Sequence, residues 1–182
     1  MATKLFTIGH STHELEKFIG LLHNNSIEVL VDVRTSPYSR YYPQFNKEFL
    51  ERALADADIR YTYEGNDLGG RPCDPSCYKS QRLPEQGADY LHEVNYREVM
   101  ERPQFQGGIQ RLLQIAETQT TAILCSEEDP TQCHRHHLIA KYLMSKYPHV
   151  EVYHIRGDGN IHSAKQIRSS VDKPEEEQLK LF

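Results

Sequence analysis

Residues 120–135 read TTAILCSEEDPTQCHR, and this stretch decides the fold that we expect. A short apolar run ends at Cys125, and an acidic loop follows it. A helix is predicted to begin near Pro130, because Asp129 can cap it and proline suits the first helical position. Residues 133–135 would then lie at the positive end of that helix, where free backbone N–H groups favour anions and lower the pKa of a thiol. The alternative is a capped helix with a buried cysteine and two exposed bases.

The chain on either side repeats this strand and helix pattern. Residues 5–11 predict a strand, a helix follows through residue 22, and residues 27–33 predict a strand that is apolar on both faces. Consecutive units of this kind require right-handed crossovers and a parallel sheet. We therefore expect the fold class α/β, as a single three-layer domain over residues 1–170 with a mainly parallel sheet flanked by helices. Further strands are predicted at 59–63, 120–125 and 150–155, and a final short helix at His162.

Composition sets the broad class. A chain of 182 residues is long enough to bury the core of one domain. It shows neither an apolar run of membrane-spanning length nor a signal peptide, so we expect a cytoplasmic protein without a membrane partner. Four cysteines fit a reducing compartment. The net charge of −5 argues against electrostatic coating of nucleic acid but leaves room for a local basic cleft.

Polar residues follow several of the predicted strands and are candidates for a site. Ligands of parallel sheets gather beyond the carboxyl ends of the strands. The candidates for proton transfer or nucleophilic attack are His10, Asp32, Cys125, Glu127 and His134. The candidates for binding the anionic part of a substrate are Ser11, Arg34, Tyr38, Arg40, Gly69, Gly70, Arg71, Cys133 and Arg135. The four arginines are expected to converge, since guanidinium groups suit phosphate oxygens. Asp32 could equally serve as a structural partner of Arg34.

The cysteines raise the question of a metal. A zinc site built from all four, Cys73, Cys77, Cys125 and Cys133, is conceivable, as is a smaller one that uses Cys125, Cys133 and a histidine. Reduced thiols without a metal are favoured over both. We therefore predict no metal, and no cofactor is required by the sequence.

The C-terminal residues 171–182 are acidic and are predicted to form a flexible tail. The tail ends in QLKLF, which resembles the peptide that binds the bacterial sliding clamp. A disordered terminus can order on binding and bury its apolar side chains in a pocket of the partner. The residues expected to make that contact are Gln178, Leu179, Leu181 and Phe182. The alternative is a tail that folds back on the domain.

Four separated motifs resemble the bacterial family known as domain of unknown function 488. They are GHS at 9–11, DVRTSPYS at 32–39, LGGRP at 68–72, and the segment from Cys125 and Glu127 to the CHR of 133–135. The resemblance runs from about residue 5 to residue 168. It implies an α/β domain with a shared polar site and supplies no reaction.

A second comparison is with rhodanese-like and cysteine-phosphatase domains, in which a strand ends in a nucleophilic cysteine and a short loop leads to an arginine. Here nine residues separate Cys125 from Arg135, and three of them are carboxylates that would repel a phosphate. A thiol-phosphate mechanism is therefore not expected. We expect an enzyme of hydrolase or transferase type that breaks a glycosidic or phosphoester bond of a nucleotide or nucleic acid in replication or repair. The alternatives are a non-catalytic nucleotide-binding adaptor and a cysteine-dependent sulfur or redox enzyme.

Overall fold

The computed structural model describes residues 2–85 and 87–167. Six strands form one sheet in this part of the chain: β1 (Thr3–Gly9), β2 (Val29–Asp32), β3 (Arg60–Tyr63), β4 (Thr121–Cys125), β5 (Val150–Ile155) and β6 (Ile161–Ser163). Their order across the sheet is β3-β2-β4-β1-β5-β6. The first five strands run parallel, and β6 pairs antiparallel with β5. The predicted α/β class with a mainly parallel sheet is confirmed.

Helices connect the parallel strands. The α-helices in the described ranges are α1 (Leu15–Asn24), α2 (Lys47–Asp56), α3 (Gly65–Leu68), α4 (Tyr90–Glu93), α5 (Tyr96–Met100), α6 (Pro103–Ala116) and α7 (Lys141–Lys146). A π-helical segment, Arg135–Ala140, runs directly into α7. Short 3₁₀ turns occupy Pro43–Phe45, Pro75–Cys77, Pro130–Gln132 and Ala164–Gln166. Within residues 2–85 and 87–167, every helix is too short or too polar to cross a lipid bilayer.

The helices cover both faces of the sheet and bury two separate apolar cores. Phe18 and Leu22 of α1 and Leu50 of α2 pack with Leu30 of β2 on one face. On the other face, α6, the π-helical segment and α7 pack against alternate residues of the same strands, among them Val29, Val31 and Ile123. Neighbouring residues of a strand point to opposite faces, which explains why β2 and β4 are buried along their whole length. The three layers expected from the sequence are therefore present.

The loops after β1 and β4 leave the sheet on opposite faces. These strands are neighbours, with Gly9 paired to Cys125 at their carboxyl ends. The chain after β1 enters α1 on one face, and the chain after β4 enters the π-helical segment on the other. Such a divergence opens a crevice in which ligands of parallel sheets bind. Gly9 is required here, since a Cβ on it would lie 1.8 Å from the carbonyl oxygen of Glu127.

The helix predicted to begin near Pro130 differs from the observed one. The residues from Pro130 form a separate 3₁₀ turn, and Asp129 caps that turn by accepting a hydrogen bond from the Thr131 amide. Cys133 is extended, with φ −141° and ψ 141°, and the helical segment begins only at Arg135. The prediction that Cys133 lies in the first turn of the helix is therefore wrong. The extended backbone carries its thiol back towards β4.

The end of the described chain also differs from the prediction. His162 lies in strand β6, where it is paired with His154 of β5, and a 3₁₀ turn follows at Ala164–Gln166. The predicted final helix is thus wrong, because the turn before β6 allows a hairpin. The proposed tail and its clamp-binding residues, Gln178, Leu179, Leu181 and Phe182, lie outside the described residues.

Candidate active site

A cavity of about 580 Å³ lies at the carboxyl ends of β1, β2 and β4. The loops after these three strands supply His10, Arg34 and Glu127. Two further segments, at residues 70–71 and 88–96, contribute the rest of the wall. The remaining lining residues are Ser11, Thr12, Thr35, Ser36, Tyr38, Ser39, Tyr42, Gly70, Arg71, Ala88, Asp89, Tyr90, Leu91, Tyr96, Cys125, Ser126, Gln132, Cys133 and His134. The cavity thus occupies the crevice that the topology creates, and most of the predicted site residues meet there.

Two thiols and one imidazole, which we call the thiol–imidazole cluster, lie together in this lining. It consists of Cys125, Cys133 and His134. The Nδ1 atom of His134 lies 3.5 Å from the sulfur of Cys125 and 3.9 Å from that of Cys133. The other ring nitrogen, Nε2, lies 3.2 Å from the carbonyl oxygen of Val33 and must donate to it. Nδ1 therefore presents a lone pair to both sulfurs.

Backbone packing holds the cluster in place. Gly70 lies against the ring of His134, and a Cβ on this glycine would lie 2.6 Å from the ring carbon Cγ. The amide of Cys133 donates to the carbonyl of Pro130, and the amide of Arg135 approaches the Cys133 sulfur at 3.5 Å. Both cysteines are buried. Burial, backbone hydrogen bonds and the contact with Gly70 thus position the three side chains.

The two thiols differ in acidity. Burial raises the pKa of the Cys133 thiol, but the hydrogen bond from Cys125 and the nearby Arg135 guanidinium outweigh it, so the pKa falls well below its usual range. The pKa of Cys125 rises well above its usual range, first because its proton is shared with Cys133 and then because it is buried. The pair therefore holds one negative charge more readily than two isolated buried thiols would.

Arg34 is the buried cation of the cavity. Its Nε donates to Asp32 Oδ1 at 2.9 Å and its Nη2 to Asp32 Oδ2 at 2.6 Å, while Nη2 also reaches the carbonyl of Phe45. Asp32 accepts a further bond from the Tyr61 hydroxyl and does not line the cavity. Nη1 of Arg34 has no hydrogen-bond partner within residues 2–85 and 87–167. Asp32 is thus placed to orient Arg34, and its expected part in proton transfer gains no support from this placement.

His10 lies in the cavity as a neutral base. Its ring stacks on Phe45 with centroids 4.5 Å apart, and Nδ1 donates to the carbonyl of Ser11 at 2.8 Å. Burial, followed by the Arg34 guanidinium, lowers the pKa of His10 to about 4. The ring is therefore uncharged near neutral pH and Nε2 carries the lone pair. In the described chain, Nε2 has no hydrogen-bond partner.

The expected convergence of four arginines is wrong for two of them. Arg135 is fully buried and lies outside the cavity lining. It donates to the carbonyl oxygens of Glu127 and Glu128 and to the hydroxyl of Thr7, so it fixes the loop after β4 instead of meeting a ligand. Arg40 is exposed and also lies outside the lining. Among the predicted arginines, Arg34 and Arg71 line the cavity.

The other predicted residues occupy the rim or the wall of the cavity, apart from Gly69. Arg71 is exposed, and its guanidinium lies 4.5 Å from the centroid of the Tyr90 ring. Glu127 and Tyr38 line the cavity while remaining exposed, Tyr38 at 72%. Gly69 lies outside the lining, where a Cβ would lie 2.3 Å from the carbonyl of Gly65.

The family described as Domain of unknown function DUF488 matches residues 14–143, more than half of the chain. The chain belongs to the DUF488 family. The match confirms the resemblance drawn from the motifs, and it spans Arg34, Gly70 and the thiol–imidazole cluster. No curated protein and no solved structure shows significant similarity to the chain.

Sequence reasoning missed part of the site of this DUF488 protein. The segment 88–91 and Tyr96 line the cavity. The spacing of Tyr96, Val99 and Met100 in the sequence is typical of the apolar side of a helix, and the Tyr96 ring does lie parallel to the His137 ring, with the two centroids 6.4 Å apart. Residues 72–90 of the sequence are largely polar and read as a long surface loop, and loops of that length tend to be functional. Nothing in the sequence showed where that loop returns to the domain.

The four-cysteine zinc site is excluded by the geometry. Cys73 is exposed and Cys77 is buried against other residues. Within the described ranges, the residues of this DUF488 protein whose ligand atoms approach closely enough to share an ion are Cys125, Cys133 and His134, all within 4.8 Å of one another.

Proposed function

We propose that this protein is an enzyme of hydrolase or transferase type that binds a phosphate-bearing substrate, a nucleotide or a nucleotide unit of nucleic acid, in the cavity. One observation carries the proposal. Three groups suited to catalysis line the same cavity at the switch between β1 and β4: the unpartnered Nη1 of Arg34, the neutral ring of His10 and the thiol–imidazole cluster. A protein that only displayed a binding surface would not need to bury such groups.

The buried guanidinium is suited to an anion. Asp32 holds Arg34 in a two-pronged ion pair, which fixes the orientation of the group and leaves Nη1 for a ligand. Hydrogen bonds between a guanidinium and phosphate oxygens are strong, and they gain strength away from water. Arg71 offers a second cation at the rim. A phosphate oxygen at Nη1 with a second contact to Arg71 is the arrangement that these positions favour.

Aromatic rings point to the organic part of the substrate. Tyr38, Tyr42, Tyr90 and Tyr96 all line the cavity, and Tyr38 is largely exposed. Bases stack on aromatic side chains whatever their sequence. The volume of about 580 Å³ lies within the range of small-ligand sites. A nucleotide would combine the stacking surface and the anion that the lining offers.

Proton transfer falls to His10. A general base must be unprotonated at the working pH, and the pKa of His10, lowered to about 4, meets that condition. The exposed carboxylate of Glu127, in the loop after β4, is the second candidate. Breaking either a phosphoester or a glycosidic bond needs one such group to take or give a proton.

Calorimetry tests the substrate class. Nucleoside 5′-monophosphates are titrated against the natural chain and compared with the matching nucleosides. Arg34→Lys retains the charge beside Asp32 but loses the forked donors, so nucleotide affinity should fall by roughly 10- to 100-fold while nucleoside affinity stays constant. The matched control is Arg111→Lys, since Arg111 is exposed and binds Glu64 outside the cavity. Nucleosides that bind as tightly as nucleotides, or no binding by either, would contradict the proposal.

Product analysis tests catalysis. Nucleotides and short oligonucleotides are incubated with the protein, and mass spectrometry distinguishes release of phosphate from release of a base. His10→Asn retains a donor to the Ser11 carbonyl but removes the basic nitrogen, so turnover should slow by about 100-fold or more. Equal turnover by His10→Asn and the natural chain would remove His10 from the mechanism.

The second candidate function is a cysteine-dependent sulfur or redox enzyme. It is favoured by the two sulfurs of Cys125 and Cys133, which lie within 4.8 Å of each other in the cavity. It requires that the two thiols form a reversible disulfide when a small-molecule disulfide is added, which is itself reduced to thiols by the exchange. Mass spectrometry of the oxidised chain would show a loss of two hydrogens mapped to these cysteines. Full activity of Cys125→Ser would eliminate this function.

A further inference from the structure

We propose that Cys125, Cys133 and His134 bind one Zn²⁺ ion and leave its fourth coordination position open to the cavity. This reverses the expectation, drawn from the sequence, of metal-free thiols. The site itself is argued from the geometry of the cluster alone. Its use in catalysis, as a Lewis acid or a source of activated water, rests on the proposed function.

The separations of the ligand atoms match a tetrahedral ion. With zinc–sulfur distances of about 2.3 Å and zinc–nitrogen distances of about 2.0–2.1 Å, two ligands at the tetrahedral angle lie about 3.6 Å apart for sulfur and nitrogen. The two observed separations from His134 Nδ1 are 3.5 Å to Cys125 and 3.9 Å to Cys133. All three ligand atoms fall within 4.8 Å of one another. A single ion can therefore reach them with small adjustments of side-chain torsions.

The surroundings of His134 are those of a metal ligand. A histidine that binds zinc through one nitrogen commonly donates the other N–H to a backbone carbonyl or carboxylate, which fixes its tautomer. Nε2 of His134 meets the carbonyl of Val33 at 3.2 Å, so Nδ1 is left with its lone pair directed at the two sulfurs. Gly70 packs closely against one side of the ring, where even an added Cβ would lie 2.6 Å from Cγ. The imidazole is thus held in the orientation that coordination requires.

The ligand set selects the ion and the kind of site. Two thiolates and an imidazole favour zinc over the hard cations magnesium and calcium, which prefer oxygen ligands. Structural zinc sites have four protein ligands, whereas catalytic ones have three and keep a position for water or substrate. Within the described residues the cluster has three such ligands, and all three line the cavity. The arrangement is that of a catalytic zinc site.

Metal analysis of the purified full-length chain tests the site. The protein is prepared without chelator, and inductively coupled plasma mass spectrometry should find one zinc per chain. Cys133→Ser and His134→Ala should each lose stoichiometric zinc, while Cys73→Ser should retain it because Cys73 is exposed and outside the cluster. Circular dichroism of each variant separates loss of the ion from loss of the fold.

Cobalt substitution provides a second readout that does not depend on yield. The chain stripped by chelator is titrated with Co²⁺, and thiolate ligands should produce a charge-transfer band in the near ultraviolet together with the visible bands of tetrahedral cobalt. Cys73→Ser should show both at full strength. Cys125→Ser, if folded, should lose part of the charge-transfer intensity. It should also bind Co²⁺ more weakly, by more than the roughly 10- to 100-fold that is typical when a hydrogen-bond partner of a metal ligand is removed, because here a ligand itself is lost.

The outcomes separate this inference from the proposed function. A chain that binds neither zinc nor cobalt in stoichiometric amount, with its fold intact, overturns the metal site whatever its substrate. Metal bound equally by the natural chain and by folded Cys133→Ser also overturns it. A chain that binds one zinc through the cluster but shows no phosphate-dependent binding of nucleotides upholds the site and contradicts the proposed function.

Discussion

Replacing Asp32 with asparagine tests how the buried cation is held. Asp32 is fully buried and Arg34 nearly so, and the carboxylate accepts from Nε, Nη2 and the backbone amide of Arg34 as well as from the Tyr61 hydroxyl. Asparagine preserves the shape but removes the charge and one acceptor. The guanidinium is then left in the interior without a counter-charge, and a broken buried pair of this kind costs about 3–5 kcal/mol.

Thermal unfolding at pH 7 measures the loss. For a chain of this length each kcal/mol lowers the melting temperature by roughly 2–4 °C, so Asp32→Asn should melt about 6–20 °C below the natural chain. The double variant Asp32→Asn with Arg34→Met should recover most of that loss, because no unpaired charge remains. The matched control is Glu98→Gln, which removes a half-exposed partner of Arg102 and should cost about 0.3–0.5 kcal/mol. If Asp32→Asn costs no more than this control, the reasoning about the buried pair is refuted.

Three further predictions concern other parts of the chain. The pKa of His10 is lowered from an ordinary 6.5 to about 4. As the pH falls, the unfolded chain therefore binds a proton at this histidine before the folded chain does. The stability that the neutral His10 ring contributes is present above pH 6.5 and is lost as the pH falls from 6.5 to 4. The free energy of unfolding in urea should therefore differ less between pH 7 and pH 4.5 for His10→Asn than for the natural chain. An equal difference in the two proteins would contradict this prediction. Gly70→Ala should cost about 1–3 kcal/mol by thermal unfolding, because its Cβ would collide with His134, whereas Gly20→Ala, with no atom within 4 Å of the new Cβ, should be neutral or stabilising by up to about 1 kcal/mol. Deletion of residues 178–182 should abolish binding to a bacterial sliding clamp in calorimetry, and unchanged affinity would dispose of the tail motif.

Local sequence predicted the sheet because the strands carry their own signature. The residues of β2 and β4 are apolar on both faces, and strands of that kind occur inside parallel sheets covered by helices on both sides. The edge strand β6 was harder to predict from the sequence. Nothing in the periodicity of residues 161–163 distinguishes a three-residue strand from the start of a helix, and its pairing with β5 decides the outcome.

The residues of the site likewise divide into those that the local sequence predicts and those that depend on the tertiary structure. Positions such as His10 and Arg34 were predictable, since they directly follow apolar strands and parallel strands end at one edge. The role of Arg135 was not predictable. Its N–H groups donate to the carbonyl oxygens of Glu127 and Glu128, and the path of a loop backbone leaves no pattern in the sequence. The contribution of Tyr90 depends on where a long loop returns, which is a tertiary property.

The π-helical segment has a consequence for how chains of this kind can vary in length. Its wider turn is closed by the amide of Lys141 donating to the carbonyl of His136, five residues earlier, so this stretch holds one residue more than a regular α-helix would over the same path. Removing one residue there would close the wide turn into regular α-helix over the same path, whereas a deletion within a regular helix such as α6 would rotate everything on one side of the cut by about 100° relative to the other. Leu143 would therefore stay in the apolar core and His134 beside its neighbours. The segment between positions 135 and 140 is thus where this helix can lose a residue without uncoupling the interior of the domain from its chemistry.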